Sequence, residues 1–135
     1  IGCDSLFEFE GEFFGKPKNI KEAIQRWQSF SSATGFLHTG HCILFRERKL
    51  NRNRELKFNG LLKQVITTKI KFTEISYEEI LEYVRTGEPM QCAGGFALDG
   101  IGGQFISEIN GCYSNVIGLS LPWLRSSIKE FDLLS

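Results

Sequence analysis

Apolar and polar residues alternate near the start of the chain, and this alternation predicts a β-hairpin. The apolar residues that share one face of the first strand are Ile1, Cys3, Phe7 and Phe9. Glu10 and Gly11 supply a two-residue turn, and residues 12–14 return as the second strand. Pro17 has no amide hydrogen to donate to a strand ladder, so the pairing is expected to stop at residues 15–17.

Three further stretches repeat apolar residues at helical spacing. The first follows Asn19, a good N-cap residue with Glu22 at the capping-box position, and ends near residues 31–32. The second follows Ser76 and Glu79, a capping box, and ends where Gly87 precedes a proline. The last runs from 121 to 131, with a proline tolerated in its first turn.

The chain between the first two helices predicts a long two-stranded ribbon. Residues 37–45 are apolar, residues 66–73 alternate, and the polar stretch 46–57 between them is expected to be a mobile hairpin tip. Farther on, residues 104–109 and 112–116 are expected to be short strands around an Asn-Gly turn. Together the elements predict a single mixed α/β domain over residues 1–135 that does not alternate strictly enough for a doubly wound fold.

Composition and charge exclude several functional classes. The chain is 41% hydrophobic and 24% charged with zero formal net charge, so no global field attracts nucleic acid or an anionic membrane. No apolar run approaches the ~20 residues of a membrane span. The four cysteines, Cys3, Cys42, Cys92 and Cys112, are scattered without a C-x-x-C pair, which favours free thiols and a cytoplasmic location.

Candidate chemistry begins with Asp4 and Lys16, which the hairpin is expected to bring close together. One interpretation is a surface ion pair. The other is a phosphate-ester site in which Asp4 activates water and Lys16 neutralises phosphate charge. The local sequence leaves both interpretations open. Asp99 lies in a glycine-rich segment whose backbone can approach a ligand, although a turn aspartate that bonds its own backbone is the favoured local interpretation.

Two other motifs have structural interpretations that we favour. His38 and His41 differ in parity on a strand, so they cannot chelate one ion together. Nine of the sixteen lysines and arginines lie between Arg46 and Lys71, but aromatic residues are scarce there, so a solvated hairpin is favoured over an RNA contact.

Taken in order, several segments resemble the Maf family of nucleoside triphosphate pyrophosphatases, and the last two resemble its cyanobacterial and plant branch most closely. The matching segments are residues 1–5 (Ile-Gly-Cys-Asp-Ser), 10–12 with 15–17 (Gly-Lys-Pro), 83–89 (Tyr-Val-Arg-Thr-Gly-Glu-Pro), 92–100 (Cys-Ala-Gly-Gly-Phe-Ala-Leu-Asp-Gly) and 110–122. The resemblance implies an α/β fold of the inosine-triphosphatase type, here a mixed sheet with a long β-ribbon and flanking helices.

The resemblance also implies an activity and site residues. The family cuts nucleoside triphosphates to monophosphate and pyrophosphate with a divalent cation of the magnesium or manganese class. Asp4 aligns with the proton acceptor and is the expected metal contact, Lys16 aligns with the triphosphate-contacting lysine, and Ser5 and Asp99 fall at positions of base selection. The expected partner is the nucleoside triphosphate substrate, and neither a stable nucleic-acid partner nor a membrane partner is expected. The resemblance also allows a homodimer.

One departure concerns the phosphate cradle. Family members carry a Ser-x-Ser-x-Arg-Arg loop at a helix N-terminus that this sequence lacks, and such a loop binds phosphate strongly. We therefore expect an N-terminally truncated fragment with an unpaired strand edge, which is inactive if the loop is essential. The alternative hypothesis is a non-catalytic module that binds a nucleotide or a partner.

Overall fold

A five-stranded antiparallel sheet with the strand order β2-β1-β3-β4-β5 organises the molecule. The structure, a computed structural model, describes residues 1–50 and 56–134, and the side-chain surroundings of residues 1–45 and 60–131. The strands are β1 Gly2–Phe9, β2 Glu12–Phe14, β3 Thr34–Leu50, β4 Leu56–Phe72 and β5 Ile106–Asn110. The helices are α1 Ile20–Phe30, α2 Tyr77–Arg85, α3 Tyr113–Ile117 and α4 Leu121–Leu134, with short 3₁₀ turns at 88–91, 93–95 and 101–105.

One face of the sheet carries an aromatic core. Its strands contribute Phe7, Leu37 and Phe72, each at most 2% exposed, and α1 and α2 pack over them. At the centre Trp27 of α1 meets the rings of Phe72 and Tyr83 edge to face, with centroids 5.5 and 5.0 Å apart. Alternation along the strands therefore buries one face, and the predicted α/β fold with a long ribbon and flanking helices is confirmed. The expected mixed sheet is not: all four strand pairings in the described part of the chain are antiparallel.

The helix starts follow the predicted capping chemistry. The Asn19 side chain accepts the Glu22 amide at 2.8 Å, and Ser76 with Glu79 forms the reciprocal capping box. At the end of α2, Gly87 adopts the left-handed conformation at φ 78°, which a residue with a Cβ rarely adopts. No helix in the described part of the chain is long and apolar enough to cross a membrane.

Two predicted boundaries were wrong. Strand β3 continues to Leu50, and strand β4 begins at Leu56. Most of the polar stretch 46–57, which was expected to be a hairpin tip, is therefore strand, and the rest of it lies outside the described residues. Residues 112–116 are not the second strand of a hairpin, because β5 is followed by the short helix α3. This segment crosses the buried face of β4: the Thr68 hydroxyl donates to the Cys112 carbonyl at 3.2 Å.

The two histidines lie on opposite faces of β3, as their parity predicts. His38 is on the outer face, where Nε2 contacts the Glu8 carboxylate at 2.6 Å and Nδ1 the Thr67 hydroxyl at 2.7 Å. His41 is buried and joins β3 to the start of α4: Nδ1 donates to the Thr39 carbonyl, and Nε2 accepts the Ser120 amide. Both histidines therefore have structural partners.

Candidate functional site

A cavity of about 300 Å³ opens between the first half of β1, the turn after β2, the glycine-rich segment and α3. All four site residues predicted from the sequence, Asp4, Ser5, Lys16 and Asp99, line this cavity. They come from three separate parts of the chain, and the fold brings them together. Their roles stay predictions, but their common location is a property of the structure.

Asp4 and Ser5 lie on β1 beyond the end of its pairing with β2, which covers only Phe7–Phe9. The Ser5 hydroxyl is hydrogen-bonded to the Thr39 hydroxyl at 2.8 Å, so Ser5 faces the core side. The carboxylate of Asp4 accepts the Ser5 amide at 2.9 Å and is exposed. Because the odd residues of β1 direct their amides toward β2, this carboxylate lies at the strand edge that β2 leaves open.

Lys16 follows a turn whose backbone is held in place at the carbonyl of Gly15. The Gly15 carbonyl accepts one bond from the Arg26 guanidinium at 2.6 Å and another from the Gly94 amide at 3.2 Å. Lys16 itself is exposed at the cavity, and Asp4 and Lys16 do not form an ion pair with each other. The interpretation as a simple surface ion pair therefore has no support in the geometry.

Arg26 is a supporting residue that sequence reasoning missed. It is 8% exposed, pairs with Glu22 at 2.7 Å and lies over the Phe14 ring at 4.7 Å. The Lys18 backbone amide and the positive charge of Arg26 hold the pKa of Glu22 below its ordinary value, the amide being the larger cause. The i,i+4 spacing of Glu22 and Arg26 was a visible signal for the ion pair, but nothing local linked it to Gly15.

The glycine-rich segment is held tightly against the core. Trp27 donates its indole N–H to the Gly95 carbonyl at 2.9 Å. Gly94 has φ 74°, and a Cβ there would lie 2.7 Å from the Phe7 Cβ, so only glycine fits. The glycines therefore serve a close approach of backbone to core, and the segment presents its other side to the cavity.

Cys92 lies in the cavity wall among charged groups. Burial raises the pKa of its thiol, the negative charges of Glu88 and Asp99 raise it further, and Lys16 opposes them. Lys16, Asp99 and Cys92 all line the same cavity. The sequence pattern suggested only a buried free thiol here, because scattered cysteines carry no positional signal.

Asp99 sits at a turn closed by a hydrogen bond from the Gly100 amide to the Ala97 carbonyl at 3.4 Å. Its side chain is exposed, and none of the described residues donates a hydrogen bond to its carboxylate. The local interpretation, a turn aspartate that bonds its own backbone, therefore has no support among the described residues. The carboxylate is free to meet a ligand.

The residues present provide little for a permanently bound metal ion. Within residues 1–50 and 56–134, no group of three or more His, Cys, Asp or Glu side chains could hold one. Magnesium, however, is commonly held by one or two carboxylates together with the phosphates of a substrate. The exposed carboxylate of Asp4 fits that second arrangement.

A larger, more open depression of about 600 Å³ lies over β1, β3 and β4 and shares Cys3 and Asp4 with the cavity. Of the four predicted site residues it contains only Asp4. We therefore place the candidate site in the smaller cavity.

The chain has an α/β fold with a long ribbon, and its cavity brings together a strand carboxylate, a turn lysine and a glycine-loop aspartate. The family model described as Maf-like protein matches residues 1–131. This chain belongs to the Maf-like protein family.

Two similar proteins, both named nucleoside triphosphate pyrophosphatase, come from Prochlorococcus marinus. The protein of strain SARG is 56% identical over 130 residues, which cover 96% of this chain and 62% of the relative. The protein of strain NATL2A is 49% identical over 133 residues, covering 98% and 63%. The chain thus spans less than two thirds of the length of these relatives.

Proposed function

We propose that this chain carries part of the active site of a nucleoside triphosphate pyrophosphatase, which hydrolyses a triphosphate to a monophosphate and pyrophosphate. The observation that carries the proposal is the meeting of Asp4, Ser5, Lys16 and Asp99 in one cavity. Membership of the Maf-like family and the names of its relatives support the same activity.

In the proposed mechanism Asp4 takes the proton of the attacking water. The water oxygen forms a bond to the α-phosphorus as the bond between that phosphorus and the bridging oxygen breaks, and pyrophosphate leaves with the electron pair. Asp4 is suited to this task by its position at the open strand edge, where the Ser5 amide orients one carboxylate oxygen and leaves the other available.

Lys16 binds and orients the phosphate chain. Its ammonium group is the only positive side chain among the described residues that line the cavity, and the anchored Gly15 carbonyl fixes the turn that presents it. A magnesium- or manganese-class ion held by Asp4 and the substrate phosphates would add charge neutralisation. Ser5 and Asp99, at the deep and loop sides of the cavity, contact the base.

The test is pyrophosphate release from a panel of ordinary and modified triphosphates, measured on this chain and on the complete translation product of its gene. Asp4→Asn is expected to reduce kcat by at least roughly a hundredfold, because general-base catalysis contributes about that much. Lys16→Ala is expected to raise KM. Two exposed neighbours serve as matched controls, Glu12→Gln and Lys18→Ala. Wild-type turnover in Asp4→Asn would overturn the assigned role.

A non-catalytic nucleotide-binding module is the second candidate. One observation favours it: among the described lining residues a single lysine faces two carboxylates, whereas a triphosphate is best held by several cations or a helix N-terminus. This candidate predicts saturable nucleotide binding without pyrophosphate release. Calorimetry on the same two proteins separates it from the enzyme.

We also propose a cytoplasmic location. The four cysteines are free in the structure, as expected in a reducing compartment. Recovery of the protein in a membrane or secreted fraction would contradict this.

A further inference from the structure

Hydrogen bonds within its own backbone form the loop that carries Asp99. The residues that follow Gly100 then bind this loop to the rest of the protein. The Gly100 amide closes one turn on Ala97, and the Gly103 amide closes the next on the Gly100 carbonyl at 3.2 Å. Since no described residue holds the Asp99 carboxylate, its position depends on where this backbone is fixed.

Glu88 is the side chain that fixes it. One carboxylate oxygen accepts the Ile101 amide at 2.9 Å, and the other accepts the Gly102 amide at 2.8 Å. The second oxygen also accepts the hydroxyl of Tyr83, which is 2% exposed in the core. A single carboxylate thus connects the loop to the end of α2 through charge-assisted bonds, which are stronger than neutral ones.

Glu88 is itself held in place by the turn that ends α2. The Thr86 hydroxyl donates to the Tyr83 carbonyl at 2.6 Å and accepts the Glu88 amide at 3.2 Å. The loop is seated so closely that a Cβ at Gly100 would collide with the Glu88 carboxylate, and one at Gly102 would collide with the Tyr83 hydroxyl. A side chain at either position would therefore displace Glu88 or Tyr83.

Glu88 does not line the cavity, so it reaches the ligand only through this loop or through its charge. Its oxygens bond to the two residues that follow Gly100, and Asp99 immediately precedes that glycine. A shift of the 101–102 backbone would therefore move Asp99 directly, with little effect on Asp4 and Lys16 across the cavity.

We propose that Glu88 is a positioning residue for base selection: it fixes the 97–103 loop against Tyr83 and thereby sets where Asp99 meets the nucleobase. This inference rests on the proposed function, because it needs a nucleotide in the cavity. It assigns Glu88 a part in selectivity and none in bond cleavage.

The test compares Glu88→Gln with the wild type on a panel of triphosphates that share the phosphate chain and differ in the base. A glutamine cannot accept both loop amides, because one oxygen becomes an NH₂ group. The ratio of kcat/KM between the best and the next base is expected to fall roughly tenfold, the value of one charge-assisted hydrogen bond. The kcat for the best base is expected to change little.

Hydrogen exchange of the Ile101 and Gly102 amides gives a readout independent of turnover. Both amides are expected to exchange faster in Glu88→Gln. Tyr83→Phe keeps the ring and the loop bonds but removes one support of Glu88, so its loss of selectivity is expected to be smaller, roughly threefold. Glu82→Gln, the same substitution at an exposed position of α2, is the matched control.

Charge loss and positioning predict different results. Loss of a negative charge near the cavity would change KM for every base by the same factor, whereas a displaced Asp99 changes the ratio between bases. In addition, the double variant Glu88→Gln/Asp99→Asn is expected to be no less selective than Asp99→Asn alone, because both act through one group.

An unchanged base ratio in Glu88→Gln, with faster exchange of the two amides, would overturn the proposal and leave Glu88 a purely structural role. Additive losses in the double variant would overturn it as well. A wild-type complete product that neither cleaves nor binds any triphosphate would contradict the proposed function itself. Binding without cleavage would contradict only the enzymatic part, and base selectivity is then measured as a ratio of Kd values.

Discussion

At the scale of single residues, the ionisation of Glu88 links the stability of the protein to pH. Burial alone would raise the pKa of Glu88, but the bonds from Tyr83 and from the Gly102 and Ile101 amides lower it more. The pKa therefore lies below its ordinary value of 4.5. A lowered pKa in the folded state adds stability above the unfolded value, and that stability is lost as the pH falls through the folded pKa.

We therefore expect the difference in unfolding free energy between wild type and Glu88→Gln to be constant near neutrality and to shrink below about pH 4.5. Tyr83 and Cys92 are the titratable groups that face Glu88, and burial raises the pKa of both, so neither ionises in this range. Urea unfolding at several pH values between about 3 and 7 measures the difference. A difference that stays constant down to the lowest pH, or the same curve for Glu82→Gln, would contradict the prediction.

Some of the site residues could be predicted from the sequence, and others could not. Asp4, Ser5, Lys16 and Asp99 were predicted because they stand in motifs whose order resembles a family, and the fold places all four in one cavity. Arg26 and Glu88 were not predicted, because each acts on a backbone carbonyl or amide at least eleven residues away. Local patterns show caps and i,i+4 pairs but not which distant backbone a side chain reaches.

At the scale of elements, the caps of α1 and α2 were predictable because their hydrogen bonds lie within four residues. The segment after β5 was not. The Asn110-Gly111 pair is typical of a tight hairpin, yet the chain turns into α3 because tertiary contacts outweigh the local signal. Gly111, at φ 131°, passes so near Thr68 that a Cβ would lie 3.2 Å from the Thr68 Cα.

Asn115 is the contact that fixes α3 on the sheet. It is fully buried, and its amide nitrogen donates to the Ile66 carbonyl and to the Thr68 hydroxyl, each at 3.0 Å. Asn115→Ala would leave the β4 acceptors without this donor in a buried place. We expect a loss of about 2 kcal/mol in unfolding free energy, measured by denaturant titration.

The exposed residue Asn110 supplies the control, since none of the described residues hydrogen-bonds to its side chain and Asn110→Ala is expected to change stability by less than about 0.5 kcal/mol. A loss at Asn115 no greater than at Asn110 would show that α3 is held by other contacts. Because α3 and the residue after it line the cavity through Val116, Ile117 and Gly118, Asn115→Ala is also expected to weaken nucleotide binding.

At the scale of the whole molecule, the two faces of the sheet differ sharply in what covers them. The core face lies under α1 and α2, whereas the opposite face, which we call the outer face, exposes large apolar side chains. Strand register places on it Leu6, Phe13, Phe36, Leu44, Leu61 and Val65, all between 40% and 63% exposed. Beside it, no described strand pairs with the free edge of β1 from residue 2 to residue 6.

An apolar face beside an open strand edge promotes association between chains. We therefore expect the isolated 135-residue chain to self-associate at micromolar concentration, as seen by sedimentation velocity, and Phe13→Lys to shift it toward monomer. Ile20→Lys, at an equally exposed apolar position on α1, is the control and is expected to leave association unchanged. A monodisperse monomer with cooperative unfolding, or equal effects of the two lysine substitutions, would show that the outer face does not drive association.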